Sequence, residues 1–189
     1  GMKSYLTLSN GQEIKSPEFL KQNLKLIQSL NKAFSKKRKC SNNRKKALNK
    51  LQKVHNDVFN KRTDFEWKLA HELCKHNSFI AIEDLNLEAM KKLWGRKISD
   101  LSFSSFVNKL GQVALKYNTV LQKVDRYYAS SKTCSCGVKN KELKLSEREW
   151  VCSSCGTVHQ RDLLASNNIL SEGIRLYCTK HKTDIVSAV

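Results

Sequence analysis

The chain has 189 residues, which suits one domain or one domain with a small module. Lys and Arg number 35 against 17 Asp and Glu, a formal net charge of +18 that favours polyanionic partners. Apolar residues make up 40%, enough for a core, and one Pro with seven Gly excludes collagen-like and Pro-rich classes. The longest apolar runs are a few residues, such as Phe79-Ile80-Ala81-Ile82, so no membrane partner is expected. No charged stretch followed by a long apolar one opens the sequence, so the expected compartment is the cytoplasm.

Leu6 and Leu8 alternate with Tyr5, Thr7 and Ser9 ahead of Asn10-Gly11, which predicts a strand entering a tight turn, with Ile14 on a short return strand. Ser16-Pro17-Glu18 has the form of a helix start, with Ser16 capping and Pro17 in the first position. Two long helices are predicted over about 18–76. The first carries Phe19, Leu20, Leu24, Ile27, Leu30 and Phe34 at three- and four-residue spacing; the second carries Leu48, Leu51, Val54, Val58, Phe65, Leu69 and Leu73. A charged loop with Lys36, Lys37, Arg38 and Lys39 separates them, and Arg44, Lys45 and Lys46 follow it. Between Lys15 and His76 stand 17 Lys/Arg and five Asp/Glu, so this third of the chain holds +12 of the +18. Charge runs are ordinarily just solvated faces. Solvation needs no bias of sign, however, so the excess points to nucleic acid or another polyanion.

Phe79-Ile80-Ala81-Ile82-Glu83-Asp84-Leu85 reads as a buried parallel strand closed by two acids. Glu83 would sit at its C-terminal end, where ligands of open α/β sheets gather. Residues 86–99, with Met90, Leu93, Trp94, Gly95 and Arg96, are expected to be irregular and partly exposed. Phe103, Phe106, Val107, Leu110, Val113, Ala114 and Tyr117 space as a helix, and Thr119 to Asp125 as a second strand. Arg126 and Tyr127-Tyr128 follow. Core packing is the ordinary expectation for the tyrosines, and for Trp94; base stacking is the other. Residues 126–160 are turn-rich, Arg161 to Ser171 predicts a last short helix, and the tail from about 172 is expected to fray. This order reads as an α/β layer fold with an inserted module.

The module is Cys134-Ser135-Cys136-Gly137, then Cys152-Ser153-Ser154-Cys155-Gly156. Four thiolates can close a tetrahedral Zn²⁺ site, and a glycine after each pair lets the chain turn around it. The first pair is C-x-C rather than C-x-x-C, which raises the question of reach. His159 is then an alternative fourth ligand; a ribbon with poor metal occupancy and redox chemistry are the other readings. Cys40, Cys74 and Cys178 stand alone and carry no chemistry, with Cys74 on a buried helix face.

Glu83 and Asp162 are each explicable as structural acids, a strand terminus and a helix first turn. Asp84 points away from the face of Glu83, because successive strand residues alternate. Taken together, two acids at the ends of core elements beside a basic helical surface suggest a Mg²⁺ site for phosphodiester cleavage.

Ile82-Glu83-Asp84-Leu85-Asn86-Leu87-Glu88-Ala89-Met90, then Asp125 to Cys134, then Arg161-Asp162 with Asn168-Ile169, resemble the TnpB (OrfB) family of transposon-encoded RNA-guided DNA endonucleases. The resemblance runs from residue 1 to about 173. It implies an RNase H-like (RuvC) fold with a long basic helical hairpin at about 18–76 and an inserted zinc ribbon. It divides the chain into a nuclease core over 1–131, the ribbon over 132–160, a last core helix over 161–173 and a disordered tail over 174–189. It implies cleavage with Mg²⁺ held by an Asp-Glu-Asp triad, of which Glu83 is the second acid and Asp162 the third. The implied partners are DNA and a guide RNA that pairs with the target, and the expected state is a monomer. Lys36, Lys37, Arg38, Lys39, Arg44, Lys45, Lys46, Arg96 and Arg126 are the candidate nucleic-acid contacts.

Two departures from the family pattern bear on activity. The family's first acid sits in an Asp-x-Gly-x-Lys stretch on the first sheet strand. Gly1-Met2-Lys3-Ser4-Tyr5-Leu6 resembles the residues directly after that Asp, so the first acid and its strand are expected just upstream of residue 1. Arg161-Asp162-Leu163-Leu164 stands where the family reads Arg-Asp-x-Asn, so Leu164 is expected to replace a polar neighbour of the acids. The chain alone is therefore expected to be inactive and less stable than an intact domain.

Overall fold

The computed structural model describes residues 4–144 and 146–186, with the side chains of 91, 94, 96–99 and 182–186 outside the description. Strands β1 (Ser4–Thr7) and β2 (Glu13–Lys15) pair antiparallel around a turn in which Gly11 takes φ +86°. Helix α1 (Phe19–Ser35) does not start as its local sequence suggests. Glu18 is the cap residue, left-handed at φ 47°, and its side chain caps nothing. The amides of Leu20 and Lys21 donate instead to the Asp100 carboxylate at 3.1 and 3.3 Å. Arg62 Nη2 donates to the same carboxylate at 3.0 Å. A carboxylate at a helix N-terminus satisfies free amides and opposes the dipole, so a distant Asp has displaced the local Ser. Helix α2 (Asn42–His76) is capped locally, with Ser41 Oγ accepting from the Arg44 amide at 3.1 Å.

Strands β3 (Phe79–Glu83) and β4 (Val120–Val124) pair in parallel and in register, Phe79 opposite Val120 through Glu83 opposite Val124. Every residue of β3 is half-buried rather than buried, in a sheet that has two strands among the described residues. Where an irregular segment was expected, α3 (Leu87–Leu101) is helical and kinked at Gly95, with φ 35° and ψ −104°. Asn86 Oδ1 starts it by accepting from the Ala89 amide at 3.1 Å. The kink breaks the apolar period that would have announced it. Helix α4 (Phe103–Tyr117) has the expected bounds.

The main core lies between β1, α2 and α4. Tyr5 is 2% exposed, with the rings of Phe65, Phe103 and Phe106 around it at 5.3, 5.3 and 5.5 Å. Leu69, Ala70, Leu73, Leu110, Val113 and Ala114 complete it. Inside this apolar layer Glu66 is 1% exposed, held by Lys109 Nζ at 2.5 Å and Ser105 Oγ at 2.7 Å.

Strands β5 (Glu149–Val151) and β6 (Val158–Gln160) make the antiparallel ribbon, and β6 runs directly into α5 (Arg161–Val186). The last helix thus continues far past Ser171, where a frayed, disordered tail was expected. Its C-terminal half packs through residues that leave no apolar stripe. Gly173 lies so close to β3 that a Cβ there would stand 2.6 Å from Ala81 Cβ. The Tyr177 ring meets Phe79 edge-on at 5.6 Å. No helix among the described residues is long and apolar enough to cross a membrane.

Candidate metal centre and acidic site

The four cysteines converge. Cys134, Cys136, Cys152 and Cys155 present sulfurs that all lie within 4.8 Å of one another. Cys134 Sγ stands 3.5 Å from Cys155 Sγ, and Cys136 Sγ 3.6 Å from Cys152 Sγ. A tetrahedral zinc with Zn–S of about 2.3 Å has sulfur–sulfur edges of about 3.8 Å, so the set fits a metal such as zinc. The short C-x-C pair does not keep its thiols apart. Gly137 at φ +89° and Gly156 at φ +71° let each loop fold back, their amides donating to Cys134 O and Cys152 O at 2.9 Å.

His159 is not needed as a ligand. Its Nε2 sits 3.0 Å from Cys134 Sγ and its ring packs against Trp150 at 4.8 Å, a supporting contact behind the sulfur. The hydroxyl of Thr157, 3.2 Å from Cys155 Sγ, together with the Thr157 amide, brings the Cys155 thiol down to about 6. Cys74 is buried, as expected, and Cys40 and Cys178 are exposed.

The ribbon also builds the entrance of α5. The Arg161 amide donates to Arg148 O at 2.7 Å. Arg148 Nη1 pairs with Asp162 Oδ2 at 2.8 Å. Asn168 Nδ2 donates to Ser130 O and Thr133 O, both at 2.7 Å. Leu164 belongs to the ribbon's own core with Cys134, Leu143, Trp150 and Cys152. It fills that core, so its apolar character is set by ribbon packing.

Glu83 ends β3, and burial pushes its carboxyl above the ordinary glutamate range. Asp162 lies in the first turn of α5, half-exposed, with its carboxylate on Arg148. Gly173 over Ala81 and Tyr177 over Phe79 show that α5 runs antiparallel to β3. That register puts Asp162 at the Glu83 end of the layer, about 10 Å beyond it along the helix axis. By that register the fold brings the two acids toward one end of the layer. Asp84 pairs with Arg126, whose guanidinium, by hydrogen bond first, holds its carboxyl below the usual range. Asp84 is thus engaged with Arg126, as Asp162 is with Arg148.

Two family models match the chain in tandem: a probable transposase of the OrfB type over residues 1–93, and the Cas12f1-like TNB domain over residues 103–169. A putative RNA-guided DNA endonuclease of Streptomyces pristinaespiralis is 36% identical over 92% of this chain and 44% of its own length. A TnpB-like protein of Acanthamoeba polyphaga mimivirus is 33% identical over 93% of this chain and 36% of its own length. The chain belongs to the TnpB (OrfB) family. It spans less than half the length of these two relatives. A chain of the cryo-EM structure of a CRISPR-Cas12f ternary complex shares the fold, with a TM-score of 0.59 at 18% identity over 84% of this chain and 34% of that one.

Among the basic candidates of this TnpB-family chain, Lys36, Lys37, Arg38, Lys39, Lys45 and Lys46 are exposed at the closed end of the α1–α2 hairpin. Arg44 is not free for a ligand: its guanidinium lies 4.0 Å over the Phe34 ring, and Nη1 donates to Lys37 O at 3.1 Å. It braces the loop that presents the lysines. Arg126 is on Asp84, and the side chains of Trp94 and Arg96 lie outside the described residues. Arg148 escaped the sequence reading because nothing local marks an arginine 14 positions before the acid it meets.

Proposed function

We propose that this chain is the nuclease-bearing part of an RNA-guided DNA endonuclease. In this reading residues 1–131 and 161–173 are an RNase H-like (RuvC) core and 132–160 are a zinc ribbon. Glu83 and Asp162 would hold Mg²⁺ together with a further carboxylate. The observation that carries the reading is Glu83, an acid at the C-terminal end of a parallel strand whose carboxyl burial pushes upward. Such a group gives up solvation that a divalent ion would restore, and relatives of the chain are named RNA-guided DNA endonucleases. Mg²⁺ bound there would neutralise charge on the attacking and leaving oxygens of a phosphodiester.

The chain's own residues do the rest. Glu83 offers its oxygens from a fixed strand end. Asp162 offers its oxygens from a helix turn that the ribbon holds. The exposed lysines of the hairpin engage the phosphates of RNA or DNA. With two acids alone the ion would be held weakly, so the purified chain is expected not to cut DNA at a useful rate. The test is a Mn²⁺ titration followed by electron paramagnetic resonance, in which Glu83→Gln and Asp162→Asn each weaken binding. Unchanged binding in both variants overturns the reading. Nicking of supercoiled plasmid by the purified chain, lost in Glu83→Ala, overturns the inactivity.

The Arg148–Asp162 ion pair favours a second reading, a protein that binds RNA or DNA without cleaving it, since the carboxylate is already neutralised. Retained, salt-sensitive nucleic-acid binding with no Mn²⁺ site selects that reading.

A further inference from the structure

The turn after β4 treats its two tyrosines differently. Tyr128 is half-buried, and burial pushes its hydroxyl upward. Tyr127 is 87% exposed, so it does not pack in the core. The turn that carries it is built rather than slack. Asp125 Oδ1 accepts from the Tyr127 amide at 2.7 Å, the Tyr128 amide donates to Asp125 O at 3.1 Å, and the Ser130 amide donates to Tyr128 O at 2.8 Å. One residue before Tyr127, the Arg126 guanidinium is held by the Asp84 carboxylate. The pair is 38% and 40% exposed, so the cation keeps open directions for a second anion. A guanidinium has five donors in a fixed fork, and one carboxylate does not use them all.

The place of this turn matters. Glu83 stands opposite Val124 in the parallel ladder. Arg126 and Tyr127 lie two and three residues beyond Val124, in the turn that leaves the strand. An oriented cation and a bare aromatic ring therefore stand on neighbouring residues of the turn that follows β4, the strand paired with β3.

We propose that Arg126 and Tyr127 form a two-point grip for an unpaired DNA strand, the guanidinium on a phosphate and the ring beneath a base. Asp84 is a positioning residue that fixes the guanidinium beside the ring. The inference rests on the reading of Glu83 as a nuclease acid, and the grip holds the strand next to it. An unpaired strand fits and a duplex does not, because bases inside a duplex stack on each other and offer no free face to Tyr127.

The test uses the whole chain and fluorescence anisotropy. The probes are labelled oligo-dT, an abasic strand of the same length and charge, and a duplex, each at several salt concentrations. Tyr127→Ala is expected to weaken oligo-dT binding about 5- to 100-fold, the worth of one stacked base, and Tyr127→Phe to restore it. The abasic strand and the duplex should show no change with Tyr127→Ala. Arg126→Ala should weaken the abasic strand too and reduce its salt slope by about 0.7. Asp84→Asn should weaken oligo-dT binding although it removes a negative charge. Equal affinities of wild type and Tyr127→Ala for oligo-dT, or equal losses on oligo-dT and abasic strand, overturn the grip. Tighter binding by Asp84→Asn overturns the positioning role. A Mn²⁺ site that survives without the base-dependent loss sinks the grip alone, and a base-dependent loss without a Mn²⁺ site sinks the nuclease reading instead.

Discussion

Gly173→Ala and Gly111→Ala are the same chemical change in the interiors of two helices, yet their surroundings give them opposite signs. At Gly111 a new methyl would meet only Leu121 Cδ2 at 3.9 Å, an ordinary contact. The helix-propensity gain of up to about 1 kcal/mol then stands, and the variant should be more stable. At Gly173 the methyl would stand 2.6 Å from Ala81 Cβ and 3.7 Å from Ala81 Cα. Carbons rest at about 3.5–4.0 Å, so α5 must move off β3 by about 1 Å. Overpacking of this kind costs about 1–3 kcal/mol. After a propensity gain of about 1 kcal/mol, a net loss of up to about 2 kcal/mol remains. For a chain of this length that is a fall in Tm of up to about 8 °C, against a small rise for Gly111→Ala. Thermal melts followed by circular dichroism read both. Adding Ala81→Gly to Gly173→Ala removes the clashing methyl, so the double variant should be more stable than the sum of the single effects. A Gly173→Ala chain stabilised as much as Gly111→Ala, or a double variant no better than the sum of the single effects, refutes the account of how α5 seats on the sheet.

Three further outcomes rest on named contacts. One zinc per chain should be released on unfolding, Co²⁺ substitution should give the visible bands of a tetrahedral thiolate site, and Cys136→Ser should lower both metal content and Tm; an unaltered Tm counts against the four-sulfur centre. Lys109→Ala leaves the Glu66 carboxylate, 1% exposed, without its cation and should cost about 3–5 kcal/mol in urea unfolding. Glu83 binds its proton more tightly folded than unfolded, since burial raises its pKa. Its contribution to stability is therefore whole below the ordinary carboxylate pKa of about 4 and is lost as pH rises through the folded value. Glu83→Gln should accordingly melt above wild type at neutral pH, with the gap closing in acid, and a gap that widens in acid contradicts the burial.

The parallel pair β3–β4 was legible because its residues carry their own signal, a continuous apolar run closed by Glu83 and a second run ending at Val124. The thiol cluster was legible because its four ligands lie within 22 residues and each pair is followed by a glycine at positive φ. The features that stayed hidden depend on partners far along the chain. The cap of α1 comes from Asp100, 80 positions from the amide it serves, so the local Ser16-Pro17-Glu18 pattern pointed to the wrong residue. Glu66 looked like one more surface acid on a basic helix, and only the facing Lys109 and Ser105 allow it to be buried. The length of α5 was hidden for a different reason. Its seat on the sheet is a glycine, and an absent side chain leaves no hydrophobic period to read.

The two acids are held by different frames, and this bears on how a site between them could be assembled. Glu83 is set by the parallel ladder through Val124. Asp162 is set by the ribbon, through Arg148 on its carboxylate, Leu164 in the ribbon core and Asn168 on the carbonyls of Ser130 and Thr133. The frames meet along α5, whose first turns belong to the ribbon and whose later turns belong to β3 by way of Gly173 and Tyr177. The helix therefore sets the spacing between the two frames. Loss of the ribbon's metal would loosen Asp162 while leaving Glu83 in place; a bulkier residue at Gly173 would displace both acids relative to each other while leaving each frame intact. The two perturbations should separate in a Mn²⁺ titration: demetallation should mimic Asp162→Asn, and Gly173→Ala should weaken binding with the four thiolates still metal-bound.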